Sequence, residues 1–307
     1  MPELIFHHYP ISPFAEKIRM VFGLKGLTWR SVMIPPIMPK PDVVALTGGY
    51  RKTPILPIGA DIYCDTALIA SVLDQIQPEP ALYPASAPLA GPLAQWADST
   101  WFFCAAAWTM QPAGVVAILA GRAPDEMKAF GKDRAAAGFK RTPLAEAEAQ
   151  LRQHLQAFER QLAVGGPWLL GAAVSIADFS VAHPLWFIRR AAPVAGILAP
   201  HAHVNAWLDR LAALGHGTSQ AMDSADALAV AAAATTHAPT ALEPEPGLAA
   251  GDEVTVAATD YGTDPVAGTL VGLNARESVL RRFDPRAGTL HVHFPRAGFQ
   301  VKKDAAA

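Results

Sequence analysis

The period of the apolar positions changes along the chain, and each change marks a new kind of element. Leu4-Ile5-Phe6 is a short apolar run of strand length, and after the step Ser12-Pro13 the residues Phe14, Ile18, Val21 and Phe22 recur at helical spacing. Residues 28–34 predict a second strand, whereas the proline-broken stretch 35–41 excludes a helix interior, because each proline removes a donor and clashes with the preceding turn. Ile55-Leu56-Pro57-Ile58 and Ile62-Tyr63-Cys64, joined at Gly59-Ala60-Asp61, predict a hairpin, and residues 67–73 a helix. From about Ala87 the pattern is helical and alanine-rich. Residues 91–119 are apolar, with Trp101, Ala105 and Trp108 on one face, and further helices are predicted over 124–137, 142–163, 204–214 and 219–234. Residues 235–251 hold Pro239, Pro244 and Pro246 with few large apolar side chains and read as a linker. Beyond it the period becomes two. Val254-Thr255-Val256 and Leu290-His291-Val292-His293-Phe294 alternate, and short runs at 269–271, 279–280 and 299–301 supply further strands. Five such strands predict a small SH3-like β-barrel, since closure removes the exposed edges of so short a sheet.

The junction at Ser12 carries the chemistry. Serine is a favoured N-cap, and proline fits the first helical position, where its missing N–H would have had no intrahelical partner. A helix start also presents unpaired amides and partial positive charge, which favour a thiolate or a carboxylate beside it. The residues alone are read equally well as a plain cap or as a group facing a bound sulfur or anion. Further on, Ser175 and Asp178 have the spacing of a capping box, with Val174 placed to staple onto Phe179.

The run Ser12-Pro13-Phe14-Ala15-Glu16-Lys17-Ile18-Arg19 resembles the first strand–helix junction of glutathione transferases, most closely the omega-type pattern Cys-Pro-Phe-Ala. Serine stands here in place of the cysteine. A hydroxyl cannot form a mixed disulfide with glutathione but can hydrogen-bond its thiolate, so the resemblance implies a serine-type transferase with Ser12 as catalytic residue. In tyrosine-type members the hydroxyl sits near the end of the first strand. Alignment on residues 16–19 puts His8 there, with Tyr9 one step away as the reserve catalytic candidate.

The element order of the first 82 residues is that of the thioredoxin-like domain of this family, and Pro54 matches its cis proline, which would leave Thr53 free to pair with the cysteinyl part of glutathione. The other reading of Pro54 is an ordinary trans proline at the start of an edge strand. Asp65-Thr66 stands where the family carries Glu-Ser or Asp-Ser for the γ-glutamyl group, although Asp65 also suits an N-cap. The implied glutathione-binding set is Ser12, Phe14, Lys52, Thr53, Pro54, Asp65 and Thr66, with Arg51 as the other candidate for the glycyl carboxylate. Ile11, Trp101 and Trp108 are the implied wall of the electrophile pocket, the two tryptophans serving equally well as core or dimer interface. The stretch Leu169 through Phe179 resembles the capping motif of the family's helical domain.

The expected architecture is therefore α/β, then all-α, then small β: a thioredoxin-like glutathione-binding domain (1–82), an all-helical substrate domain (87–234), a linker (235–251) and the small β-barrel (252–307), about which the resemblance implies nothing. The implied function is attack of the glutathione thiolate on a hydrophobic electrophile in detoxification, by a homodimer. Isomerase, dehalogenase and peroxidase chemistry would use the same pocket. The alternative of a different class is a degenerate glutathione-binding scaffold whose β domain binds a protein partner.

Charge and cysteine content narrow this further. A net charge of −2 over 307 residues gives no electrostatic case for nucleic acid or an anionic membrane surface. With no basic, apolar leader and no bilayer-length apolar run, the expected location is cytoplasmic. Cys64 and Cys104 lie far apart, which suggests neither a disulfide framework nor a thiolate metal site. His201-x-His203 and His291-x-His293 are candidate metal pairs, and the second has chelating geometry on a strand. With no cysteine or dense carboxylate set nearby in sequence, solvent-facing histidines and no metal are expected.

Overall fold

The computed structural model describes residues 2–139 and 142–303. β1 (Ile5–His8) is buried throughout and leads to α1 (Pro13–Lys25), which ends at Gly26 in the left-handed conformation. β2 (Thr28–Met33) lies parallel to β1. After α2 (Pro41–Thr47), the hairpin β3 (Ile55–Ile58) and β4 (Asp61–Cys64) returns antiparallel, and α3 (Thr66–Ile76) follows. Strands β1 to β4 with helices α1 to α3 thus have the expected thioredoxin-like fold.

In the helical domain α4 (Ala90–Trp96) continues through one π-helical turn, Ala97–Trp101, into α5 (Phe102–Thr109). α6 (Pro112–Ile118), α7 (Pro124–Ala136), α8 (Leu144–Gly165), α9 (Ile176–Arg190) and α10 (Ala202–Ala212) complete it. The capping box is present and does more than cap. Asp178 accepts the Ser175 amide at 2.9 Å with one oxygen, and the Leu169 amide at 2.8 Å and Trp207 Nε1 at 3.0 Å with the other. One buried carboxylate thereby ties the start of α9 to the preceding loop and to α10. Ile18, Phe22, Phe179 and Trp207 share a core in which α1 and α9 pack together.

Residues 219–234 depart from the single helix expected. Thr218–Ala221 is a strand, β5, parallel to β2, and the helix α11 (Ser224–Ala233) starts only after Asp223. The open backbone of β2 supplies hydrogen-bond partners that local propensity does not foresee, and the small polar residues of β5 are all exposed.

The tail forms the five expected strands: β6 (Glu253–Ala258), β7 (Val266–Leu273), β8 (Glu277–Asp284), β9 (Gly288–Pro295) and β10 (Phe299–Lys303). They are antiparallel in the order β10-β6-β7-β8-β9, with the last strand returning beside the first. β9 also pairs in parallel with β4, Asp61 opposite His291 and Tyr63 opposite His293, so that one ten-stranded sheet runs through both domains. Ile62, Val292, Phe294, Tyr50 and Leu228 share its second core. The segment read as a linker is docked as well: Glu243 donates its amide to the Leu273 carbonyl at 2.7 Å, and Ala238 to Asp61 Oδ2 at 2.8 Å. His293 does not face solvent. It is 1% exposed and held between Asp61 and Glu277, carboxylates distant in sequence that the pairing of β4, β8 and β9 brings together. Among the described residues no single helix is long and apolar enough to cross a membrane.

Candidate functional site

A cavity of about 730 Å³ opens where the three parts of the chain meet. Its wall includes Ile11, Ser12, Phe14, Lys52, Thr53, Pro54, Asp65 and Thr66 from the thioredoxin-like domain. Ser12 is 2% exposed, and its Oγ accepts the Ala15 amide at 3.1 Å as the N-cap of α1. Capping uses one acceptor lone pair and leaves the O–H proton free to donate, so the two readings of Ser12 are compatible. The Thr53–Pro54 peptide is cis. Asp65 caps α3 through the Ala67 amide at 2.9 Å and has φ +73°, the one positive φ of a non-glycine among the described residues. Such a conformation is held only where surrounding structure over-determines it. Burial pushes the Asp65 carboxyl up, against the Lys52 charge and the Ala67 amide.

Tyr9 also lines the cavity, and its hydroxyl oxygen accepts from Arg134 Nη2 at 3.1 Å. His8 is elsewhere: it is 3% exposed, with Nδ1 3.0 Å from Arg19 and Nε2 2.9 Å from Ser31 Oγ. Lys52 and Arg51 reach the cavity wall already paired, Lys52 with Asp260 at 2.5 Å and Arg51 with Asp133 at 2.9 Å.

Trp101 and Trp108 are not on the wall. Trp101 is 1% exposed and donates to the Val181 carbonyl at 3.1 Å, stacked on Trp96 inside the helical core. Trp108 donates to the Val194 carbonyl at 2.9 Å and packs toward α6. The face turned to the cavity is instead that of Gln95, Asp98, Ser99, Phe102, Phe103, Ala106 and Met110. Both faces of α5 are apolar with the same helical spacing, so periodicity does not choose between them; the tryptophan face is the one that packs on α9 and the segment after it, where the carbonyls of Val181 and Val194 accept the two indole N–H groups.

Four features were not read from the sequence. Lys17, 0% exposed, reaches Asp98 Oδ2 at 2.5 Å and Thr66 Oγ1 at 3.3 Å, and His183 Nε2 donates to Asp98 Oδ1 at 3.1 Å. Burial alone would raise the Asp98 carboxyl, but the Lys17 charge and the His183 hydrogen bond hold it below the ordinary range. Lys40 is 3% exposed, and its Nζ donates to Thr53 Oγ1 at 2.9 Å and to the Arg51 carbonyl at 3.2 Å. Arg134 comes from α7, and Thr259, Asp260, Tyr261 and Phe299 come from the tail. A lone acid in the apolar run 91–119 is a signal for Asp98, since acids are seldom buried unless paired. Nothing in the sequence points to the tail residues, because only the pairing of β9 with β4 carries them to the cavity.

No cysteine lines the cavity among the described residues. Cys64 is buried with its thiol pushed well above the usual value, and burial raises that of Cys104 to about 11. Neither replaces the missing omega-type thiol.

A thioredoxin-like domain and a helical domain enclosing a cavity at a serine-capped helix start define a class that the comparisons with known proteins name. Residues 6–81 match the family model "Glutathione S-transferase, N-terminal domain", and residues 141–210 match "Glutathione S-transferase, C-terminal domain". No curated protein matches the chain. Among solved structures, a GST-like protein from Pseudomonas syringae is 44% identical over 99% of this chain and 100% of its own, with a TM-score of 0.83, so the likeness includes the tail. Glutathione S-transferase III in its apo form (22% identity, 77% of this chain and 99% of that one, TM-score 0.53) shares the fold. So does the β-etherase LigF from Sphingobium sp. strain SYK-6 (18%, 68% and 95%, TM-score 0.52). The chain belongs to the glutathione S-transferase family.

Proposed function

We propose that the protein is a serine-type glutathione transferase that attacks an apolar electrophile with the glutathione thiolate. The observation that carries the reading is the Ser12 hydroxyl, on the cavity wall at the start of α1 with its proton free to donate. In this reading the γ-glutamyl ammonium faces Asp65 and Asp98, its carboxylate faces Thr66 and the first amides of α3, and the cysteinyl backbone lies along Thr53. The glycyl carboxylate meets Lys40 or Lys52. The thiol loses its proton to solvent, and Ser12 donates a hydrogen bond to the thiolate that remains. The sulfur forms a bond to the electrophilic carbon held against Phe102, Phe103 and Met110 as the bond from that carbon to its leaving group breaks and the leaving group departs with the electron pair.

The magnitudes are sufficient. A free thiol has a pKa of about 8.5, and a lowering of roughly two units corresponds to about 2.7 kcal/mol. A hydrogen bond to a charged group contributes about 1.5–3 kcal/mol and a helix N-terminus about 0.3–1 kcal/mol. The test is a titration with glutathione at neutral pH that follows both heat and the ultraviolet thiolate band. Binding with the band supports the reading, and binding without it leaves a carrier or scaffold. A homodimer, a cytoplasmic location and a part in detoxification go with the same proposal, and light scattering tests the first.

A further inference from the structure

We propose that Asp61, His237 and His291 form a binding site for one divalent transition-metal ion of the zinc class, at the seam where β9 of the tail pairs with β4. Asp61 and His291 stand opposite each other in that parallel pair and so project from the same face of the sheet. His237, just beyond α11, lies over them with its ring stacked on that of His291, centroids 3.7 Å apart and planes inclined by 14°. One donor atom from each of the three residues lies within 4.8 Å of the others, and His237 Nδ1 is 3.9 Å from Asp61 Oδ1. Bonds of about 2.0–2.1 Å to a tetrahedral ion place ligand atoms about 3.3 Å apart. Loading the site therefore draws His237 and Asp61 together by about half an ångström and the other pairs by up to about 1.5 Å, and it turns one imidazole out of the stack, because the lone pairs lie in the ring planes and near-parallel rings do not aim at one point.

Two observations point to a ligand rather than to a structural cluster. Nδ1 of His237 and Nδ1 of His291 are both enclosed and, among the described residues, have no hydrogen-bond partner. Buried polar atoms are ordinarily satisfied, and a cation that accepts both lone pairs satisfies these. The carboxylate is also braced as metal-bound carboxylates are: Asp61 Oδ1 is 2.9 Å from His293 Nε2, whose Nδ1 is 3.0 Å from Glu277, and Asp61 Oδ2 accepts the Ala238 amide. A carboxylate retains lone pairs for a metal beside these contacts. Two imidazoles and one carboxylate select zinc, copper or nickel over calcium or magnesium, and three protein ligands leave a position for water. The sequence suggests His291-x-His293 as the chelating pair. In the fold His291 works with His237, and His293 orients the third ligand. None of the three proposed ligands lines the cavity, so the site is independent of what the cavity binds. A bound ion would fasten the tail to the thioredoxin-like domain.

The test uses the full-length chain, freed of metal with a chelator and titrated with Zn²⁺ by calorimetry and with Co²⁺ by visible absorption. One equivalent per chain and a rise in Tm with Zn²⁺ are expected, and His237→Ala and His291→Ala should each abolish both. His203→Ala, at an exposed histidine paired with Glu159, should change neither. Absence of stoichiometric uptake by the native chain, or equal uptake by both variants, overturns the site. Should either substitution disturb folding, X-ray absorption on the zinc-loaded native protein decides. Two imidazole nitrogens in the zinc shell support the site, and a shell lacking them overturns it.

Discussion

Lys40 donates to Thr53 Oγ1 at 2.9 Å from a position only 3% exposed, so a buried ammonium stands at the same threonine proposed to meet the cysteinyl backbone. Burial lowers its pKa to about 7, helped by Arg134 and Arg51 and opposed by Asp133. A glycyl carboxylate brought to Nζ raises that value, so binding takes up a proton above pH 7. The affinity for S-methylglutathione, which has no thiol to ionise, is therefore expected to be level below pH 7 and to fall toward tenfold per pH unit above it. Lys40→Met should flatten the profile, and a level profile in the native protein would remove Lys40 from the site. The same shift bears on folding. The unfolded chain binds the more protons between about pH 7 and about 10.4, so this residue's penalty on stability is full below pH 7 and is relieved as pH rises through that window.

Ser12→Ala is expected to raise the pKa of bound glutathione by roughly 1–2 units, the equivalent of one hydrogen bond to a charged group, with affinity for S-methylglutathione kept. Loss of the cap should cost about 1 kcal/mol of stability. Ser12→Cys should instead form a mixed disulfide with oxidised glutathione, detectable by mass, since a thiol at a helix start is acidified. An unchanged ultraviolet thiolate band in Ser12→Ala would move the role to Tyr9 or to backbone donors.

Asp98→Ala removes the partner of Lys17, a cation with no exposure. Leaving one member of a buried pair uncompensated costs about 3–5 kcal/mol, and a large fall in the denaturation midpoint is expected. Lys17→Met combined with Asp98→Leu should recover much of it. If the single variant melts with the native protein, the pair is not what holds α1 to the π turn.

Asp260→Asn should affect binding more than stability. The Lys52–Asp260 pair is partly exposed, which limits its contribution to about 0–1 kcal/mol, so Tm should change little. Freed of its partner, Lys52 should attract the glycyl carboxylate and lower KM for glutathione a fewfold at constant kcat. A rise in KM would mean that Asp260 positions the lysine rather than competing for it.

The parts of the molecule legible in the sequence are those fixed by neighbours along the chain. Ser12-Pro13, Asp65-Thr66 and Ser175 through Asp178 are helix starts, and the residues that identify them are the residues that do the capping. Of the two readings open for Trp101 and Trp108, the core one holds; the choice was not legible because both faces of α5 are apolar and only the packing against α9 and the segment after it tells them apart. β5, the docking of residues 238–243 and the burial of His293 depend on pairing between segments far apart, for which a single sequence holds no signal. The same holds for the part of the cavity wall that α7 and the tail contribute.

The parallel pairing of β4 with β9 also sets a timetable. Asp61 and His293 are 232 positions apart in the chain. At about 5–20 residues per second, a ribosome that has made β4 needs on the order of ten seconds or more to deliver the strand that covers it. Until then the amides and carbonyls on that edge of the thioredoxin-like sheet have no partner from this chain, so the nascent protein carries an open strand edge for most of its synthesis. The last strands to be made close the domain that was made first.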